Sequence, residues 1–194
     1  ITDLINLKAA GDMATYNNII STVVPARFKA GQVVLSTASL MGVALAMYKN
    51  VDADKKSKYK SMFISTAIAV FLTGVSEPIE FLFMFLSPVL YLIYAALYGI
   101  FTVITCYVGF RAGFCFSAGL TDLIFSASLP AAAKTWTIIP LGIAAFVVFY
   151  VVFKFAIVKW DLKTPGREDD DQEAEKSAKL ANNDFTEVAK IILE

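Results

Sequence analysis

The sequence predicts an all-α integral membrane protein: transmembrane helices plus a re-entrant helical hairpin, followed by a disordered acidic linker. Three observations carry this. Hydrophobic residues make up 57% of the 194 positions, Phe alone occurs 16 times, and mean hydropathy is +0.63, above the usual soluble range. Two apolar runs of 23 residues, Pro88 to Phe110 and Trp136 to Val158, are long enough for a helix to cross a bilayer core of about 30 Å. Charge is segregated rather than dispersed: ten of the 17 acidic residues lie from Asp161 onward.

The first 160 residues read as one membrane unit. The apolar stretch from Val33 to Tyr48 is 16 residues long and that from Met62 to Ser76 is 15, while Ala112 to Ala133 is interrupted by Asp122 and small residues. Stretches this short predict half-spanning or re-entrant helices, or spans completed by polar flanks. A re-entrant hairpin is expected at about 62–86, with full spans at 88–110 and 136–158. The second span contains only Lys154, near enough to its end to snorkel, and is bracketed by Trp136 and Trp160.

Lysines set the expected orientation. The segment 49–60 holds five Lys against two Asp, and Lys159, Lys163 and Arg167 follow the last span. Both segments are expected on the cytoplasmic side of the membrane, joined by an even number of crossings. Residues 111–135 then belong to the outer face or dip back in. Residues 161–183 read as a charged cytoplasmic linker, since 168–175 carries six acids in eight positions. At Asp184 a capping box (Asp184 to Glu187) precedes an apolar face of Val188, Ile191 and Ile192, the expected start of a second, soluble domain. The absence of an initiator Met and the stop inside a helical pattern are expected of a piece of a longer polypeptide.

Several function classes lose support. The net charge of zero cancels between regions, and no basic stripe with interleaved aromatics points to nucleic acid. There is no His, which removes the commonest general base and transition-metal ligand. Cys106 and Cys115 are nine apart in apolar sequence and read as small buried side chains. Asp52 and Asp54 lack the glycine and distal glutamate of a calcium loop. No metal, no cofactor and no catalytic residue is expected within this chain.

Function concentrates in Gly74-Val75-Ser76-Glu77-Pro78-Ile79-Glu80-Phe81. Placing a carboxylate in a membrane costs about 2.5–3.5 kcal/mol even on insertion scales. Gly74 permits unusual backbone angles, and Pro78 disfavours helical geometry in the residue before it. The pattern describes a helix end, a tip bearing Glu77, and a new helix from about Ile79. Such a tip offers a carboxylate and free backbone groups to a polyhydroxylated ligand. A cap alone does not need a carboxylate at that depth, so Glu77 is read as a ligand. Glu80 stands in the first turn of the next helix, where an acid is favourable anyway, and both roles stay open for it. Tyr91, Tyr94 and Tyr98 share a helix face and read as packing before sugar stacking. Arg27 and Lys29 read as interfacial anchors. Asp122 either lines the path or caps a short helix.

Phe71 to Tyr91, FLTGVSEPIEFLFMFLSPVLY, closely resembles the G-[IV]-[TS]-E-P-[IL]-E-F signature of the membrane-embedded C component (EIIC) of the glucose superfamily of the phosphoenolpyruvate-dependent sugar phosphotransferase system. Ala26 to Gly31, Phe116 to Gly119 with Asp122, and Leu162 to Glu168 also resemble that family. The resemblance implies that Glu77 binds sugar hydroxyls from the tip of a re-entrant hairpin, helped by backbone at Val75 and Ser76, with Gly74 and Glu80 completing the site. It implies uptake of a glucose-type hexose (glucose, N-acetylglucosamine or a related glucoside) coupled to phosphorylation by a phosphocysteine on a B domain, fused or separate. Residues 184–194 then resemble the first helix of that B domain, and the phosphorylated cysteine lies downstream. The implied setting is a homodimer in the lipid bilayer of the bacterial cytoplasmic membrane. The family's histidine and arginine partners of the sugar lie upstream of Ile1 or at positions that are not His here, and the exact sugar stays open. Two other readings also stay open: a proton-coupled secondary sugar transporter using Glu77 or Glu80, and a non-transporting sugar sensor or remnant.

Overall fold

The structure, a computed structural model, describes residues 2–23, 29–113, 117–129 and 132–167. Every regular element among them is helical, apart from one isolated antiparallel bridge. Two short helices, α1 (Thr2–Ala9) and α2 (Met13–Val23), come first. Then α3 (Gly31–Val34) runs through a π-helical turn (Leu35–Ser39) into α4 (Leu40–Lys49). α5 (Lys56–Thr73), α6 (Glu77–Met84) and α7 (Pro88–Val108) follow. α8 (Leu120–Ser126) and a 3-10 turn (Thr135–Thr137) lead to α9 (Ile138–Lys159).

Among the described residues, three helices are long and apolar enough to cross a membrane: Gly31–Lys49, Pro88–Val108 and Thr135–Lys159. The last two occupy the runs singled out by length. The first takes one of the expected alternatives, a span completed by its flanks, because Gly31, Gln32 and Lys49 extend it to 19 residues. Its hydroxyls are internal. Ser36 Oγ donates to the Gln32 carbonyl at 2.9 Å, Thr37 Oγ1 to the Val33 carbonyl at 2.6 Å, and Ser39 Oγ to the Leu35 carbonyl. Each polar group is thereby satisfied inside its own helix, which is what apolar surroundings require.

α4 and α9 form the centre of the core. Gly42 is the reason they come close: a Cβ there would collide with the Phe146 carbonyl and crowd the Tyr150 nitrogen. Beside this contact, Phe149 and Phe153 of α9 meet Tyr94 and Phe101 of α7 and Phe83 of α6, with ring centroids 5.4–5.9 Å apart. α7 buries one stripe, Leu90, Tyr94, Phe101 and Thr105, and exposes Leu92, Ile100, Val103 and Tyr107. α9 likewise turns Ile143, Val147, Val151 and Phe155 outward. A helix apolar all round is the pattern of a lipid-facing element.

The two lysine-rich segments meet at one end of the bundle. The Asp52 N–H donates to the Gly166 carbonyl at 3.1 Å, and Gly166, in the left-handed region at φ +79°, sits against Val51 and Tyr59. Arg167 donates to Asp161 at 2.5 Å and to the Ile157 carbonyl at 3.4 Å. The segment expected to be linker from Asp161 is therefore docked as far as Arg167, because the Pro165-Gly166 turn folds it back onto the bundle. The expected acidic run and the helix at 184–194 lie outside the described residues, as do Arg27 and Cys115. At the opposite end, Gly109 closes α7 in the left-handed region and Lys134 Nζ donates to the Val108 carbonyl at 2.7 Å. Arg111 and Ala133 exchange backbone hydrogen bonds of 3.0 and 3.2 Å there. Trp136 and Trp160 stand exposed at opposite ends of α9.

Gly42→Ala is expected to lower stability by about 1–3 kcal/mol, the usual cost of overpacking a close contact. Gly99→Ala, with open space around it, leaves the protein unchanged. Thermal unfolding in detergent reads the difference, and equal midpoints for the two variants would contradict this packing.

Candidate functional site

α5 ends because Gly74 turns left-handed, at φ +78°, with its N–H donating to the Val70 carbonyl at 2.7 Å. Such a turn suits glycine alone among common residues. Thr73 stitches the turn on both sides: its hydroxyl donates to the Ala69 carbonyl at 2.8 Å and accepts the Val75 N–H at 3.2 Å. Ser76 then stands at the N-cap position of α6, without a side-chain cap bond, and α6 begins at Glu77. This is two residues earlier than expected, because Pro78 in the first turn lacks an N–H exactly where a helix has no acceptor for one. The tip is thus Gly74, Val75 and Ser76, with Glu77 as the first helical residue.

The two acids are placed differently. Glu77 is exposed, and no described residue hydrogen-bonds or ion-pairs with its side chain. Of the N–H groups beside it, those of Ser76 and Glu77 have no acceptor among the described residues, Pro78 has none to offer, and those of Ile79 and Glu80 both donate to the Ser76 carbonyl at 3.1 Å. Glu80, one turn on, is half-buried and accepts the Tyr94 hydroxyl at 2.9 Å. Tyr94 is only 4% exposed. Its ring lies edge-on to Tyr98, Phe83 and Phe149 at 5.7–5.9 Å. The tyrosine face therefore packs into the core and holds Glu80, which answers the question that spacing left open about those rings.

Gly74 is buried, while Val75 and Ser76 are half-buried. The tip is also approached by residues distant in sequence. Thr121 Oγ1 donates to the Leu72 carbonyl at 2.9 Å, and Gly119 lies directly against Gly74. Asp122, in the first turn of α8, is buried and accepts the Ser117 N–H at 2.7 Å. Its observed role is to organise the loop that leads into this short helix. Periodicity gave no sign of the Thr121 contact; the small-residue run around Gly119 was the only trace of it in the sequence. Cys106 is half-buried and in no disulfide among the described residues, and no cluster able to hold a metal occurs among them.

Residues 3–99 match the family described as Phosphotransferase system, EIIC. The chain is 40% identical over 183 residues, 94% of its length, to a glucose-specific EIICBA component of Streptococcus pneumoniae, covering 25% of that protein. It is 43% identical over 147 residues, 75% of its length, to an N-acetylglucosamine-specific EIICBA component of Escherichia coli, covering 23% of it. A glucosamine-specific EIICBA component of Bacillus subtilis is 39% identical over 158 residues, 81% of this chain and 25% of the relative. The chain spans about a quarter of the length of these curated relatives.

Tyr94→Phe leaves the half-buried Glu80 oxygen without its donor, and is expected to cost about 1–3 kcal/mol of stability. Tyr98→Phe, which removes no bond to Glu80, serves as the reference. Equal unfolding midpoints for the two variants would show that the Tyr94 hydroxyl does not support the hairpin.

Proposed function

The chain belongs to the EIIC family of the phosphotransferase system, and on that premise we propose that it binds a glucose-type hexose at the Gly74–Glu77 tip and presents it for phosphorylation. The observation that carries this reading is Glu77: an exposed carboxyl without a partner among the described residues, at the first position of a helix, in otherwise apolar sequence. A carboxyl accepts from two adjacent sugar hydroxyls, and the Ser76 and Glu77 N–H groups, without acceptors among the described residues, offer donors beside it. Val75 and Ser76 supply the backbone wall, Gly74 sets the turn, and Glu80, held by Tyr94, braces the helix behind.

Glucose, N-acetylglucosamine and glucosamine, the sugars in the relatives' names, share one ring configuration and differ at C2. A tip common to all three engages hydroxyls other than the one at C2, so Glu77 is assigned to those. The sugar's 6-hydroxyl faces the cytoplasm, the side given to the two lysine-rich segments by their charge. There a B-domain phosphocysteine loses its phosphoryl group to that oxygen: an S–P bond breaks, an O–P bond forms, and the hydroxyl proton leaves. The B domain follows the 161–183 linker in cis or acts in trans. The membrane unit works as a homodimer in the cytoplasmic membrane, with its C-terminal tail on the cytoplasmic side. This part binds and positions; the chemistry belongs to the B domain.

Glu77→Gln in the full-length protein is expected to weaken glucose and N-acetylglucosamine binding by about 10–100-fold, the worth of hydrogen bonds to a charged group. Titration calorimetry in detergent measures it. Binding at wild-type strength would overturn the site. Uptake into vesicles that needs a proton gradient and no phosphoenolpyruvate would instead favour a proton-coupled transporter.

A further inference from the structure

The tip is gripped from a second direction, by backbone rather than by side chains. The last carbonyls of a helix have no partner within it, and at the end of α5 two of them, those of Val70 and Leu72, find donors beyond the helix. The Val70 carbonyl accepts the Gly74 N–H and the Ala69 carbonyl accepts the Thr73 hydroxyl. The Leu72 carbonyl accepts a donor from 49 residues away, the Thr121 hydroxyl. Beside that bond the two segments touch backbone to backbone, with a glycine on each side. A Cβ on Gly119 would strike the Leu72 oxygen, the Thr73 carbonyl carbon and the Gly74 nitrogen, and a Cβ on Gly74 would strike Ala118 and Gly119. The loop that delivers Gly119 is itself fixed, since Asp122, 7% exposed, accepts the Ser117 N–H at 2.7 Å. The end of α5 and the 117–126 segment thus meet where a broken helix has polar backbone to satisfy.

We propose that Thr121 is a positioning residue for the sugar-binding tip, and that with Gly119 and Asp122 it forms a clamp holding the Gly74–Glu77 backbone in its binding geometry. This rests on the assignment of the sugar to that tip. The clamp needs no contact with sugar. It fixes the carbonyl two residues before the left-handed turn from which Val75, Ser76 and Glu77 project. Without it the last turn of α5 samples more conformations, and the binding-competent tip becomes a smaller fraction of the population, which lowers apparent affinity by that fraction. Chemistry at saturating sugar is untouched, because the B domain acts on sugar already seated.

The test uses the full-length protein, with glucose and N-acetylglucosamine as probes, in Thr121→Val, Thr121→Ser and Glu77→Gln. Thr121→Val, close in shape but without the hydroxyl, is expected to raise the dissociation constant about tenfold. Its maximal phosphorylation rate, with phosphoenolpyruvate and the partner proteins supplied, stays unchanged. Thr121→Ser, which keeps the donor, is expected to bind within about twofold of wild type. Wild-type affinity in Thr121→Val alongside lost binding in Glu77→Gln overturns the clamp and leaves the site standing. Equal loss in the Ser and Val variants overturns it too, as the signature of packing alone. Wild-type binding in Glu77→Gln overturns the site and the clamp together. Should Thr121→Val not assemble, Thr121→Ala needs no added space and gives the same reading, with wild-type affinity again overturning the clamp.

Discussion

A helix cannot stop inside apolar surroundings unless something takes up the carbonyls and N–H groups it abandons. That constraint governs the break between α5 and α6, and most features of this chain are answers to it. Gly74 supplies a turn that other residues resist, and Thr73 satisfies one group on each side of it. Pro78 occupies a first-turn position where a missing N–H costs nothing. What the local sequence leaves unsatisfied at Leu72 is met by Thr121. At the start of α6 the Ser76 and Glu77 N–H groups keep no acceptor among the described residues, beside the Glu77 carboxyl.

The same constraint separates the two glutamates. An acid left without a partner in such a place is a standing cost, so its persistence calls for a reason other than stability. Glu80 has a structural one, the Tyr94 hydroxyl delivered by an aromatic core that continues through Phe83 and Phe149. Glu77 has none among the described residues. The proposed division between a ligand and a brace rests on partners rather than on depth or spacing.

Much of this was legible in the sequence, for identifiable reasons. The helices at Pro88–Val108 and Thr135–Lys159 announce themselves through uninterrupted apolar length, and the 74–81 motif through two acids beside a glycine and a proline. The helix at Gly31–Lys49 was harder to see because Ser36, Thr37 and Ser39 lower its hydropathy, yet they bond their own backbone and add no exposed polarity. The contact of Gly119 and Thr121 with the tip spans 49 residues, beyond any local pattern. The docking of Gly166 against Val51 and Tyr59 was hidden in the same way, since a Pro-Gly turn after a span reads as the start of a linker.

The central claim is that sugar sits at the Gly74–Glu77 tip, and occupancy of that tip can be read directly. Ser76→Cys, nearly isosteric, is placed in a full-length protein whose other cysteines outside the B domain are replaced by serine, and alkylation of that thiol is followed with increasing glucose or N-acetylglucosamine. The account predicts that sugar slows alkylation, with half-protection at the concentration that half-saturates binding. Alkylation at the same rate with and without saturating sugar, in protein that still binds it, would place the sugar elsewhere.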